Sequence, residues 1–135
     1  MLEPAVEELF SAANFAHLAT ALPDGSPHTV PVWAGVHDGR IAFFTQPASR
    51  KARNLAHDPR AAISVVDRDN PYRSAWVRGR VDRTLEGDAA LEVIDAISHR
   101  YTRAPFPMRS GVVFLIAPER QRVLELPFED TPAAG

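Results

Sequence analysis

Apolar positions fall into short runs of two periods along this chain. Val6, Leu9, Phe10 and Ala13 stand at helical spacing behind Pro4 and predict a short amphipathic helix over 3–13. Strands are predicted over 15–22, 28–36 and 41–45. The first two are joined through Pro23-Asp24-Gly25-Ser26 and the last two through His37-Asp38-Gly39-Arg40, both hairpin signals. Ser49 caps a short helix that ends at Asp58-Pro59, because the residue before proline disfavours helix. Strands follow over 61–67 and 74–85, the second with Trp76 and Arg78 on one face and Ala75, Val77 and Gly79 on the other. Leu91, Ile94, Ile97 and Tyr101 then mark a helix over 87–101. The segment 102–110, with Pro105 and Pro107, reads as an ordered loop. Two last strands, 112–117 and 122–126, precede a frayed tail over 127–135.

Six to seven strands with two or three short helices predict a mainly β (α+β) single domain over 1–135, a small antiparallel barrel or rolled sheet. The run 112–116 is apolar at every position, so it is expected to be buried on both faces, one of them a candidate subunit interface.

Composition narrows the chemistry. The 135 residues carry 15 Lys+Arg against 17 Asp+Glu, a net charge of −2, which disfavours a whole-surface nucleic-acid binder. No cysteine is present, which excludes disulfides, thiolate metal sites and thiol nucleophiles. The five histidines show no metal-ligand spacing, and no metal site is expected. The acidic N-terminus and the lack of a long apolar run predict a soluble cytoplasmic protein with no membrane partner.

Ser49-Arg50-Lys51-Ala52-Arg53-Asn54 follows a strand and opens a helix. Free backbone N–H groups and the helix dipole add positive character there, and phosphate is the usual anion at such a start. Cations oppose the dipole at this end, so stability alone does not select them; an ordinary solvated helix with a serine cap remains the other reading. Lys51 is the only lysine in the chain. Pro31 interrupts a strand and predicts an edge or bulge, where the flat backbone of Val30-Pro31-Val32-Trp33 faces either a planar ligand or only solvent. No nucleophile elbow, Walker loop or acid–base pair is visible, so the hard chemistry of an enzyme here falls to a cofactor.

The run from Ser49 to Arg60, Ser-Arg-Lys-Ala-Arg-Asn-Leu-Ala-His-Asp-Pro-Arg, with the strand after it, resembles the split β-barrel flavin and deazaflavin oxidoreductases, the pyridoxamine 5′-phosphate oxidase-like proteins. Leu18-Ala19-Thr20, Pro23-Asp24-Gly25-Ser26-Pro27, Asp69-Asn70-Pro71-Tyr72-Arg73 and Trp76-Val77-Arg78-Gly79-Arg80-Val81 resemble the branch that uses coenzyme F420. The likeness spans about 10–126.

The resemblance implies an antiparallel split β-barrel homodimer with two cofactor sites at the dimer interface. It implies that Ser49, Lys51 and Asn54 hold the cofactor phosphate, with Arg50 nearby. The tricyclic ring is placed against the strand from His28 through Val30, Pro31, Val32 and Trp33, near Thr45. Tyr72, Arg73 and Trp76 are expected to close the site, from the partner chain if not from their own. Arg50, Arg53, Arg60 and Arg73 are the cations available to further carboxylates on F420. The chain is shorter than the pyridoxamine 5′-phosphate oxidases and shows no counterpart of their substrate-phosphate region, which argues against vitamin oxidation. The expected activity is hydride transfer from reduced F420 to an unsaturated, conjugated small-molecule acceptor. The alternatives are an FMN oxidoreductase of the same fold and a non-enzymatic module that stores a deazaflavin, flavin or tetrapyrrole.

Overall fold

The computed structural model describes residues 1–128. Helix α1 (Pro4–Ser11) is followed by strands β1 (Phe15–Ala21), β2 (Pro27–His37) and β3 (Arg40–Thr45). Helix α2 (Arg50–His57), strands β4 (Arg60–Asp67) and β5 (Asn70–Leu85), helix α3 (Gly87–Thr102) and strand β6 (Val112–Glu125) complete it. The six strands close an antiparallel barrel in the order β1-β2-β3-β6-β5-β4, with β4 returning to β1.

The barrel is split at β2. Its first part, Pro27 to Trp33, pairs with β1, and its last part, Ala34 to His37, pairs with β3. Pro31 lies in the first part, where β2 has a partner on one side only, so its missing N–H costs no ladder bond on the open side. The expected edge is therefore found.

Inward residues of alternate parity fill the barrel. Ala16, Leu18, Ile63, Val65, Ala75 and Val77 form its core, and Val6, Leu9 and Phe10 of α1 with Ala52 and Leu55 of α2 plug it. The run Val112 to Ile116 is buried on both faces, as its composition predicts. Val112, Phe114 and Ile116 enter the barrel core. Val113 and Leu115 meet Ala90, Val93, Ile94 and Ile97 of α3. The second face is thus covered by this chain's own helix, and the expected subunit interface on that strand is corrected.

The six strands observed fall within the six to seven expected, and the difference lies at the C-terminal end. The two last strands of the sequence reading are one, β6, bent at Pro118. Two register shifts against β5 absorb the bend, one between Arg78 and Gly79. There a Cβ on residue 79 would stand 1.9 Å from the Ala117 carbonyl oxygen, so only glycine fits. The loop expected before β5 is a tight hairpin turn at Arg68-Asp69, where Asp67 Oδ1 accepts from the Asp69 N–H (2.9 Å). Of the expected tail, 129–135 lie outside the described residues, and the Phe128 ring lies 5.5 Å from Tyr72.

Candidate functional site

Helix α2 starts beside the open stretch of β2. Ser49 caps it, its Oγ accepting from the Ala52 N–H (3.2 Å) and from the Thr45 hydroxyl (2.9 Å). With both lone pairs engaged, the Ser49 proton is free to donate outward. Thr45, buried, is the brace of that serine and does not line the cleft described below. Asn54 is 1% exposed and sits inside the fold. Its amide donates to Thr20 Oγ1 (3.0 Å) and its carbonyl accepts from Arg50 (3.4 Å). It therefore holds Arg50 in place and offers no open face to a ligand.

Lys51 points along the other flank of α2. It lines a 360 Å³ cleft with Phe15, Pro31, Val32, Trp33, Phe44 and Phe106. Burial lowers its pKa from the ordinary lysine value, with no neighbouring charge acting on it. A half-buried ammonium with no carboxylate beside it among the described residues is the feature an anionic ligand would satisfy.

The cleft walls are a connected aromatic set. Trp33 stacks on Tyr101 (5.0 Å, 7°) and meets Phe44 and Phe106 edge to face at 6.4 and 6.0 Å. Phe15 lies 5.8 Å from Tyr101, and Phe44 lies 4.9 Å from Phe106. The Tyr101 hydroxyl donates to the Asn14 carbonyl and accepts from the Ala34 N–H (3.2 Å), and burial raises its pKa. Such a surface suits a flat, conjugated ring. Phe15, Phe44, Phe106 and Tyr101 were not singled out from sequence. On strands, Phe15 and Phe44 carry the same period-2 signal as core residues; Phe106, between two prolines, had the one usable cue.

Of the residues expected on β2, Pro31, Val32 and Trp33 line the cleft, while Val30 packs against the core. His28 pairs with Thr20 across β1, and its Nδ1 is buried with no hydrogen-bond partner among the described residues.

Tyr72, Arg73 and Trp76 are not brought to this cleft within the chain. Arg73 is held by Glu125 (2.8 Å), Asp67 (3.6 Å) and Glu8 (3.7 Å). Trp76 carries the Arg78 guanidinium 4.8 Å over its ring and lines a separate 460 Å³ hollow with His17, Thr29 and Ser64. Arg60 is likewise tied, to Asp58 (2.7 Å), whose carboxyl it holds at a pKa of about 2. Of the four arginines expected to meet extra carboxylates, Arg60 and Arg73 are engaged in ion pairs.

No helix among the described residues is long and apolar enough to cross a membrane. The pyridoxamine 5′-phosphate oxidase family profile matches residues 2–125. A pyridoxine/pyridoxamine 5′-phosphate oxidase of Bacteroides thetaiotaomicron is 28% identical over 123 residues, 90% of this chain and 53% of that protein. The chain covers 36–53% of the length of the curated relatives it matches. Among solved structures, an F420 reductase superimposes with a TM-score of 0.77 at 28% identity, over 90% of this chain and 98% of that one. A conserved hypothetical protein of Mycobacterium tuberculosis does so with a TM-score of 0.80 at 27% identity, over 99% and 94%.

Proposed function

The chain belongs to the pyridoxamine 5′-phosphate oxidase family, and from that premise we propose that it is a dimeric F420-dependent reductase acting on an unsaturated, conjugated small molecule. The observation that carries this reading is the position of Lys51, where a cation-rich helix start meets an aromatic cleft. The likeness to an F420 reductase along 98% of that chain favours the deazaflavin over FMN.

The residues present fit such a cofactor. Ser49 Oγ–H, the Lys51 ammonium and the free N–H groups of the first turn of α2 would hold its phosphate. Arg50, fixed by Asn54, adds charge beside them. Pro31 and Trp33 would carry the ring. Bound there, a reduced deazaflavin supplies a hydride. The protein's part is to orient ring and acceptor and to exclude water, with the aromatic walls as the dry surface. Among the described residues no acidic side chain lines the cleft, and in this reading solvent would supply the accompanying proton. A second copy completes the site in this reading, its Tyr72–Trp76 stretch lying over the cleft that the same stretch does not reach in its own chain.

Side-by-side titration of the apo-protein with F420 and FMN tests the reading. F420 is expected to bind more tightly and to lose more affinity as salt rises, because its extra carboxylates add screened charge contacts. Reduced F420 should be consumed when conjugated acceptors are supplied. Tight binding of FMN alone would replace the deazaflavin with the flavin, and full F420 affinity without turnover over a wide acceptor panel would make the protein a carrier.

A further inference from the structure

We propose that the segment 103–111 holds Phe106 as a fixed wall of the cleft, with Phe106 the residue that sets which planar ligands enter and Asp95 the residue that positions it. The inference rests on the reading of the cleft as a ring site and names its selectivity element.

Connecting loops over a cleft are ordinarily its mobile part. This one is clamped on both sides of a single residue. Asp95 Oδ1 accepts from the Phe106 N–H (3.1 Å), and Arg109 donates to the Phe106 carbonyl (2.7 Å). Asp95 and Arg109 close the clamp through a bidentate pair, at 2.9 Å to Oδ1 and 2.8 Å to Oδ2. Both backbone groups of Phe106 are thus bound by partners that bind each other.

Two more ties hold the ends of the segment. The Ser98 hydroxyl donates to the Ala104 carbonyl (2.8 Å), and Gln46 Nε2 donates to the Ser110 carbonyl (2.9 Å). Pro105 and Pro107 flank Phe106 and fix the backbone on either side of it, which lowers the entropy lost when the segment orders. Arg103, in the left-handed conformation (φ 63°), turns the chain out of α3 so that it runs back past Asp95.

The product of these constraints is one ring in one place. Phe106 stands 4.9 Å from Phe44 and 6.0 Å from Trp33, edge-on to both, and lines the same cleft as Lys51. An exposed ion pair contributes little to stability. Asp95 and Arg109 therefore act through where they hold Phe106. Arg109 and the Phe106 N–H keep the Asp95 carboxyl down to about 2, so the clamp stays charged throughout neutral and mildly acid pH. The ligand class that fits is a flat conjugated ring bearing an anionic group toward Lys51.

Calorimetry on the full chain with two planar anions of different width, 4-nitrobenzoate and anthracene-2-carboxylate, tests this, with F420 binding measured in parallel. Phe106→Ala is expected to shift the affinity ratio toward the wider anion by tenfold or more, and Asp95→Asn by threefold or more in the same direction. The double variant should go no further than Phe106→Ala, since Asp95 acts through that ring. Should Asp95→Asn fail to fold, Arg109→Gln opens the same clamp from the other side. An unchanged ratio in a folded clamp variant that binds F420 as the parent does overturns the wall and leaves the reductase reading standing. A shifted ratio in a protein that binds no F420 upholds the wall and sinks the deazaflavin. A parent that takes up neither anion overturns the inference outright.

Discussion

At Lys51 a single side chain meets two demands. Its ammonium is partly withdrawn from water and finds no counter-ion among the described residues, which is unfavourable for the free protein and favourable for an anionic ligand. Lys51→Ala is therefore expected to leave the melting temperature of the apo-protein unchanged or slightly raised. The same change should cost about 1.5–3 kcal/mol of F420 binding, roughly ten- to a hundredfold in affinity, and Lys51→Arg should recover part of it, because a planar fork replaces a point charge. Full affinity in Lys51→Ala would remove Lys51 from the phosphate site.

The pKa of Lys51 adds a pH signature. Its folded value lies below the unfolded 10.5. Between the two values the unfolded chain binds more protons, so stability rises with pH through that window. Anion binding needs the charged form and must weaken across the same window, beginning below pH 10.5. A cofactor titration from pH 7 to 10.5 checks this, and an affinity flat over that range in the parent but falling in Lys51→Ala would contradict it.

Elements are tied to the cleft by buried polar residues more than by pattern. Asn14 joins four of them. Its amide donates to the Leu9 carbonyl of α1 (2.9 Å), and its side-chain oxygen accepts from Arg68 N–H at the β4–β5 turn (3.0 Å). Its backbone carbonyl takes the Tyr101 hydroxyl of α3, which also accepts from Ala34 N–H on β2. Asn14→Ala strands the Leu9 carbonyl in the interior, at a cost of about 1–3 kcal/mol, and frees the half-buried Arg68 N–H toward water. Urea denaturation should show a loss of that order, and the near-ultraviolet circular dichroism of the Trp33–Tyr101 stack should weaken. Intact stability would mean that water replaces the amide without cost.

Such residues mark the limit of what sequence pattern discloses. The helix at Ser49 was legible because a cap, three cations and a proline stop sit within a dozen positions. The burial of 112–116 on both faces was legible because no polar residue interrupts it. What covered the second face was not, since α3's stripe of Ala90, Val93, Ile94 and Ile97 could in principle pack against any apolar surface, and periodicity names no partner. Asn54 was expected to meet phosphate and Asn14 carries no sequence signal; only the closed barrel reveals that they are interior. The single strand β6 was read as two because Pro118 resembles a terminator, and the glycine that accommodates its bend lies 39 positions away on β5.

For the whole molecule, the distribution of cover decides the expected assembly. α1 and α2 plug the barrel, and α3 lies outside β3 and the first part of β6. The outside of β1, β4 and β5 carries no helix among the described residues. Along it run two shallow hollows of 530 and 460 Å³ that share Ala19, Ala62 and Arg78, the smaller one also lined by His17, Ser64 and Trp76. Phe15, 54% exposed, stands on this face at the mouth of the cleft, and Val66 and Leu124 are exposed on the neighbouring strands. A sheet face of this extent with aromatic and aliphatic side chains is a candidate interface, and a second copy laid on it would close the cleft. Obligate homodimers bury about 2,000 Å² or more. Sedimentation at micromolar concentration should therefore give one species near twice 14.8 kDa. Val66→Glu with Leu124→Glu, both on this face and outside the cleft, should shift it to monomer and weaken F420 binding together. A monomeric parent with full cofactor affinity would show that one chain makes the whole site and that Tyr72–Trp76 has no part in it.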